Sequence, residues 1–150
     1  MIYRNTLLSI TLYFISFTLS AQDAWSPLES MKIKSISQTE ISNDGKSIAY
    51  VVREPIMDGK KSEYLSQIWV TDIESKENIQ YTFNQKSSSS PKFSPDGKKI
   101  AFLSSRSGKN QIWIMNTLGG EAKKLTDEKK GVRSIKWSPD GKMISFLKSE

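Results

Sequence analysis

The apolar positions of this chain come in short runs separated by turn-forming residues. Ile100-Ala101-Phe102-Leu103 and Ile112-Trp113-Ile114-Met115 are β-branched and aromatic, and apolar at successive positions. Successive strand side chains point to opposite faces, so such strands carry apolar groups on both sides and must be covered by layers on both. Between the runs stands Pro95-Asp96-Gly97, with a preset φ, an Asx side chain that bonds back to the backbone, and a glycine for positive φ. One unit therefore reads as four strands: Pro91 to Ser94, Lys99 to Ser104, Gln111 to Asn116, and Glu121 to Thr126. Arg106 to Asn110 and Leu118-Gly119-Gly120 form the other turns, and Ser87-Ser88-Ser89-Ser90 is a polar connector.

The unit recurs. Ser42-Asn43-Asp44-Gly45-Lys46, Ser94-Pro95-Asp96-Gly97-Lys98 and Ser138-Pro139-Asp140-Gly141-Lys142 match, as do Gln67-Ile68-Trp69-Val70 and Gln111-Ile112-Trp113-Ile114. Gly97 and Gly141 are 44 positions apart, as are Gln67 and Gln111, whereas Gly45 and Gly97 are 52 apart. The eight extra residues of the first unit fall in the stretch Arg53 to Ser66, which reads as an inserted loop or solvent-exposed hairpin. Four-stranded units of this length, packed face to face, predict an all-β chain forming an incomplete β-propeller of about two and a half blades. The blades are expected at residues 35–85, 86–128 and 129–150, the last stopping after its second strand.

Residues 1–21 read differently. Arg4, an apolar run from Leu7 to Leu19 and the small residues Ser20 and Ala21 form the three parts of a signal peptide, too short to span a bilayer as a helix. Export to a periplasm or beyond follows, with no stable membrane span after cleavage. An uncleaved anchor is the alternative, since cleavage after Ala21 places Leu19 where a small residue is usual. In the segment 22–34, Ser26, Pro27 and Glu29 predict a short capped helix covering one edge of the propeller.

The chain holds no histidine and no cysteine. That excludes a Ser-His-Asp triad, a thiolate nucleophile, a disulfide and a His- or Cys-ligated metal. No Gly-x-Ser-x-Gly occurs either. A formal charge of +6 and a pI near 9.4 indicate a basic surface, but the lysines are scattered in pairs such as Lys98-Lys99, Lys123-Lys124 and Lys129-Lys130. They read as a solvated surface and not as a nucleic-acid site. In the Asp-Gly turns no acid recurs two positions later, so they read as hairpin turns and not as calcium loops. Trp69 and Trp113, and Trp137 with its counterpart Phe93, read as packing residues. Arg53, Glu54 and Glu63 belong to the insertion, which could reach a pore or a neighbouring domain, and Arg106 reads as a surface charge in a turn.

The units Phe93-Ser94-Pro95-Asp96-Gly97, Gln111-Ile112-Trp113, Gly119-Gly120-Glu121-Ala122 with Leu125-Thr126, and Trp137-Ser138-Pro139-Asp140-Gly141 resemble the TolB-type, WD40-like propeller repeat. The order of signal, Trp-containing helix and first unit with a long insertion is similar to the N-terminal propeller of exported serine peptidases of the prolyl oligopeptidase family, acylaminoacyl-peptidase- and dipeptidyl-peptidase-like. The resemblance runs from about Trp25 to Leu147. It implies a fragment cut within its third blade, a substrate-gating role, and a catalytic α/β-hydrolase domain beyond residue 150 that cleaves short peptides. No catalytic, cofactor-binding or metal-binding residue carries over to this chain, and peptide specificity, blade number and oligomeric state stay open. A non-catalytic TolB-type scaffold in a periplasmic complex is the alternative. It is disfavoured by the dozen residues between Gln22 and Ser35, too few for a preceding domain. Expressed without further blades, the chain is expected to self-associate through open faces and edges.

Overall fold

A computed structural model describes residues 26–58 and 61–149. The expected signal peptide and Trp25 lie outside these residues. Helix α1 (Pro27–Met31) starts as its sequence demands: the Ser26 hydroxyl accepts a hydrogen bond from the Glu29 amide at 3.1 Å, with proline in the first turn. The Glu29 side chain does not return to the Ser26 amide, the reciprocal bond that Ser26 and Glu29 three positions apart predict. It pairs with Lys32 at 2.7 Å. Met31 at its end and Ile33 after it are exposed.

Among the described residues ten strands follow: β1 (Ser35–Ile41), β2 (Ser47–Asp58), β3 (Lys61–Asp72), β4 (Asn78–Gln80), β5 (Ser88–Phe93), β6 (Lys99–Ser104), β7 (Gln111–Asn116), β8 (Lys123–Lys124), β9 (Val132–Trp137) and β10 (Ile144–Lys148). They form antiparallel sheets in chain order, β1-β2-β3-β4, β5-β6-β7-β8 and the pair β9-β10. The all-β, incomplete-propeller reading of the repeat holds.

Two details differ from the sequence reading, and the insertion resolves an alternative it left open. The serine run is not wholly a connector: Ser88 to Ser90 lie in β5, with Ser88 fully buried and its hydroxyl 3.2 Å from that of Ser104. Serine is tolerated there because the partner hydroxyl satisfies it. Of the two readings of the insertion the hairpin holds, the β2–β3 register running unbroken from Ser47↔Asp72 to Asp58↔Lys61. Finally, the outer strands are short, only Lys123–Lys124 where Glu121 to Thr126 was expected. The ladder ends because side chains take it over. Gln111 donates to the Glu128 carbonyl at 2.7 Å and accepts from the Thr126 hydroxyl at 2.7 Å, while that hydroxyl accepts from the Ile112 amide at 2.9 Å. Gln67, Thr82 and Ile68 repeat this clamp in the first sheet.

The second sheet is packed on both faces, which its doubly apolar runs require. Ile100, Phe102 and Met115 join Phe93 against Ala49, Val51, Ile68 and Val70 of the first sheet. Ala101, Leu103 and Ile112, the alternate set, pack on Val132 and Ile135 of β9. Complete burial of each large aliphatic or aromatic side chain here stabilises the fold by about 1.5–3 kcal/mol.

The Asp-Gly turns are identical devices. Asp44, Asp96 and Asp140 each accept from the hydroxyl of Ser42, Ser94 or Ser138 at 2.5–2.6 Å and from the amide of Lys46, Lys98 or Lys142 at 3.1 Å. Those bonds, the serine hydroxyl first, hold all three carboxyls below the usual aspartate value. A depressed native pKa means that the unfolded chain binds the proton more readily, so the stabilisation is complete above the unfolded value of about 3.9 and is lost as pH falls through the folded values. The unfolding midpoint is therefore expected to be flat near neutrality and to drop below about pH 4, less steeply in an Asp96→Asn variant. Equal pH slopes for the two proteins would show that this turn does not carry the effect.

Candidate functional site

The first strands of the three sheets, β1, β5 and β9, lie side by side. Each contains the same irregularity. The β1–β2 register shifts between Ser37 and Glu40, β5–β6 between Ser89 and Lys92, and β9–β10 beside Phe146 and Leu147. The residue at the shift is left-handed each time: Gln38 (φ 53°), Ser90 (φ 54°) and Ser134 (φ 53°). A non-glycine residue in that region is uncommon, and three at one repeat position mark a built bulge that turns backbone groups out of the ladder.

What the bulges turn out is used between sheets. The Ser90 amide donates to Gln38 Oε1 at 2.7 Å, and Lys92 pairs with Glu40 at 2.5 Å. Both contacts join residues 52 positions apart, as does the bond from Asn43 Nδ2 to the Pro95 carbonyl at 2.9 Å. Trp137 Nε1 donates to the Lys92 carbonyl at 3.1 Å, tying β9 to β5. Glu40, Lys92 and Lys136 line one cleft across the three strands, together with Phe93, Ile135 and Trp137. This wall is the candidate site: hydrogen-bond donors and charges on a rigid apolar base, suited to holding polar groups of a ligand by position.

The residues singled out in the sequence are placed as follows. Trp113 packs on the core between the first two sheets and Trp137 on that between β6, β7 and β9, as packing residues should. Trp69 faces Tyr50 and Gln80 across the ladders. Arg53 lies over the Tyr64 ring at 3.9 Å and Glu54 pairs with Lys34 at 2.6 Å, both holding the base of the ribbon. Glu63 is an exposed ribbon residue. Arg106 is not the surface charge expected. It is half-buried, 4.7 Å above the Trp113 ring, and donates to the Ser104 hydroxyl at 3.1 Å and the Ser88 hydroxyl at 3.3 Å. Burial pushes its pKa below the ordinary arginine value. Its role is to close the second sheet over Trp113. Among the described residues no group of three or more acids could hold a metal, and no helix is long and apolar enough to cross a membrane.

Sequence reasoning missed Gln38, Glu40, Lys92 and Lys136. Their signal lies in the repeat offsets of 52 and 44, but these residues differ from unit to unit, and similarity marks only positions that match.

Residues 61–150 match the family model of the Tricorn protease N-terminal β-propeller domain. The uncharacterised peptidase YuxL of Bacillus subtilis strain 168 is 40% identical over 76 residues, 51% of this chain and 11% of that protein. An acylaminoacyl peptidase solved in complex with Z-Gly-Gly-Phe-chloromethyl ketone superposes with a TM-score of 0.66 at 28% identity, over 80% of this chain and 18% of that one. The acylaminoacyl peptidase of Pyrococcus horikoshii gives 0.62 at 29% identity, over 77% and 17%. A putative TolB from Agrobacterium tumefaciens gives 0.61 at 30% identity, over 73% and 37%. The chain thus spans a small part of the length of these relatives. With residues 61–150 of its 150 matched, it belongs to the family of Tricorn protease N-terminal β-propeller domains.

Proposed function

We propose that this chain is the substrate-gating propeller portion of an exported serine peptidase of the prolyl oligopeptidase family that hydrolyses short peptides. The observation that carries the reading is the match to an acylaminoacyl peptidase over 80% of the chain at a TM-score of 0.66. The lack of histidine and cysteine supports placing the chemistry elsewhere, in an α/β-hydrolase domain beyond residue 150. There a serine would attack the scissile carbonyl, expel the amine and pass the acyl group to water. The propeller's part is selection: a wall of inner strands beside an axis admits an extended peptide and turns away folded chains. Export by residues 1–21, followed by their removal, would put this activity in the periplasm or outside the cell. The 30% identity to a putative TolB supports the second reading, a non-catalytic periplasmic scaffold.

Expression of the complete reading frame that contains this chain separates the two. The peptidase reading expects labelling by a fluorophosphonate and hydrolysis of short peptides, with folded proteins left intact. A full-length product that neither labels nor cleaves any peptide would overturn it in favour of the scaffold.

A further inference from the structure

The two junctions between inner strands are built on the same plan but are not equally satisfied. At β1–β5 the bulge amide of Ser90 is capped by Gln38, and the Lys92 ammonium is neutralised by Glu40. At β5–β9 the corresponding capping residue is Ser90 itself. Its side chain is two bonds shorter than glutamine and makes no hydrogen bond to Ser134, whose backbone has the same left-handed bulge. The corresponding charged pair is Lys92 with Lys136, two cations lining one cleft. Lys92 is already engaged by Glu40, and Lys136 is exposed with no ion-pair partner among the described residues. Where the first junction places an amide oxygen and a carboxylate, the second has neither acceptor. Both vacated acceptor positions lie within reach of one another along the strand, two residues apart at Ser134 and Lys136.

We propose that the wall at the β5–β9 junction binds a carboxylate, held by the Ser134 amide and the Lys136 ammonium, and that this group belongs to the peptide being admitted. The last clause rests on the peptidase reading; the carboxylate site does not. A carboxylate accepts from a backbone amide and an ammonium together through its two oxygens, and such charge-assisted bonds are short and strong. Phe93, Ile135 and Trp137, which line the same cleft, lower the local dielectric and strengthen them. The carboxylate is either a peptide C-terminus or an acidic side chain.

The test uses the full-length protein and two variants that act differently. Lys136→Met removes the charge. Ser90→Gln recreates at the second junction the cap that Gln38 provides at the first, in a backbone conformation glutamine already adopts there. Three substrates of one sequence are compared: a free C-terminus, a C-terminal amide, and an amide with one internal glutamate. Each variant is expected to raise KM about tenfold for the carboxylate-bearing substrate, with kcat and the plain amide unchanged. Loss confined to the free C-terminus assigns the site to chain ends, and loss confined to the glutamate peptide assigns it to side chains. Equal effects on all three substrates, or none on any, overturn the site. If the wild-type protein cleaves nothing, calorimetric titration with the same peptides decides: binding of the carboxylate peptides that both variants weaken keeps the site while the peptidase reading fails, and no difference overturns the site alone.

Discussion

Replacing Phe102 by alanine is expected to destabilise the propeller by about 3–5 kcal/mol, the cost of removing a buried phenyl ring and leaving its cavity. The ring is 0% exposed and stands opposite Trp113 in the β6–β7 ladder. It belongs to the core that joins the first two sheets. Collapse of the gap is opposed from several sides. The sheets are held at fixed spacing by the Tyr81 hydroxyl donating to the Thr117 carbonyl at 2.6 Å, by Asn43 on Pro95 and by the Glu40–Lys92 pair. The Arg106 guanidinium, 5.3 Å from the ring centre, would also lose its apolar support. Phe146, at the matching position of the third unit, is only half-buried, so Phe146→Ala should cost less than half as much. Denaturant unfolding followed by tryptophan fluorescence gives both values. A loss of only about 1 kcal/mol for Phe102→Ala would mean that the sheets close over the cavity after all.

How far the sequence reveals this arrangement depends on the kind of residue. Strands β6 and β7 are legible almost to the residue, because Ile100 to Leu103 and Ile112 to Met115 are apolar on both faces and bounded by turn residues. The Asp-Gly turns are legible because each needs serine, aspartate and a positive-φ glycine within four positions. Strand β5 is half hidden, since Ser88 and Ser89 carry no hydrophobic signal and are held by hydroxyl pairing and ladder bonds. The ribbon of β2 and β3 is half legible: Pro55 and Gly59 leave loop and hairpin both open, while the cross-strand pairs that hold it, such as Arg53 on Tyr64, are non-local. The inner-strand wall is the least legible part. Its contacts join unlike residues at like positions, Gln38 with Ser90 and Glu40 with Lys92, and a search for similarity passes over them. Arg106 shows the same limit: the chain alone does not reveal that a turn arginine will find two hydroxyls and an indole beneath it.

Gln111→Leu is expected to cost about 2–4 kcal/mol although it removes no apolar contact and changes volume little, because it strands several part-buried polar groups at once. Gln111 is 3% exposed. Its amide donates to the Glu128 carbonyl, and its oxygen accepts from both the Thr126 hydroxyl and the Glu128 amide, the last at 3.1 Å. Leucine satisfies none of these groups. The damage should travel, since Glu128 also pairs with Lys148 of β10 at 3.0 Å and the Asn110 carbonyl accepts from the Val132 amide at 2.8 Å. The clamp therefore fastens the outer rim of the second sheet to the third. Amide exchange should accelerate at Ile112, Leu125 and Val132 and stay unchanged at Ile68, which depends on the separate clamp of Gln67 and Thr82. Thr126→Val alone should cost about 1 kcal/mol, and the double variant less than the sum, since the two side chains share one bond. Strict additivity, or exchange that accelerates equally in both sheets, would mean that each clamp is a bystander to a cooperative unit spanning the whole chain.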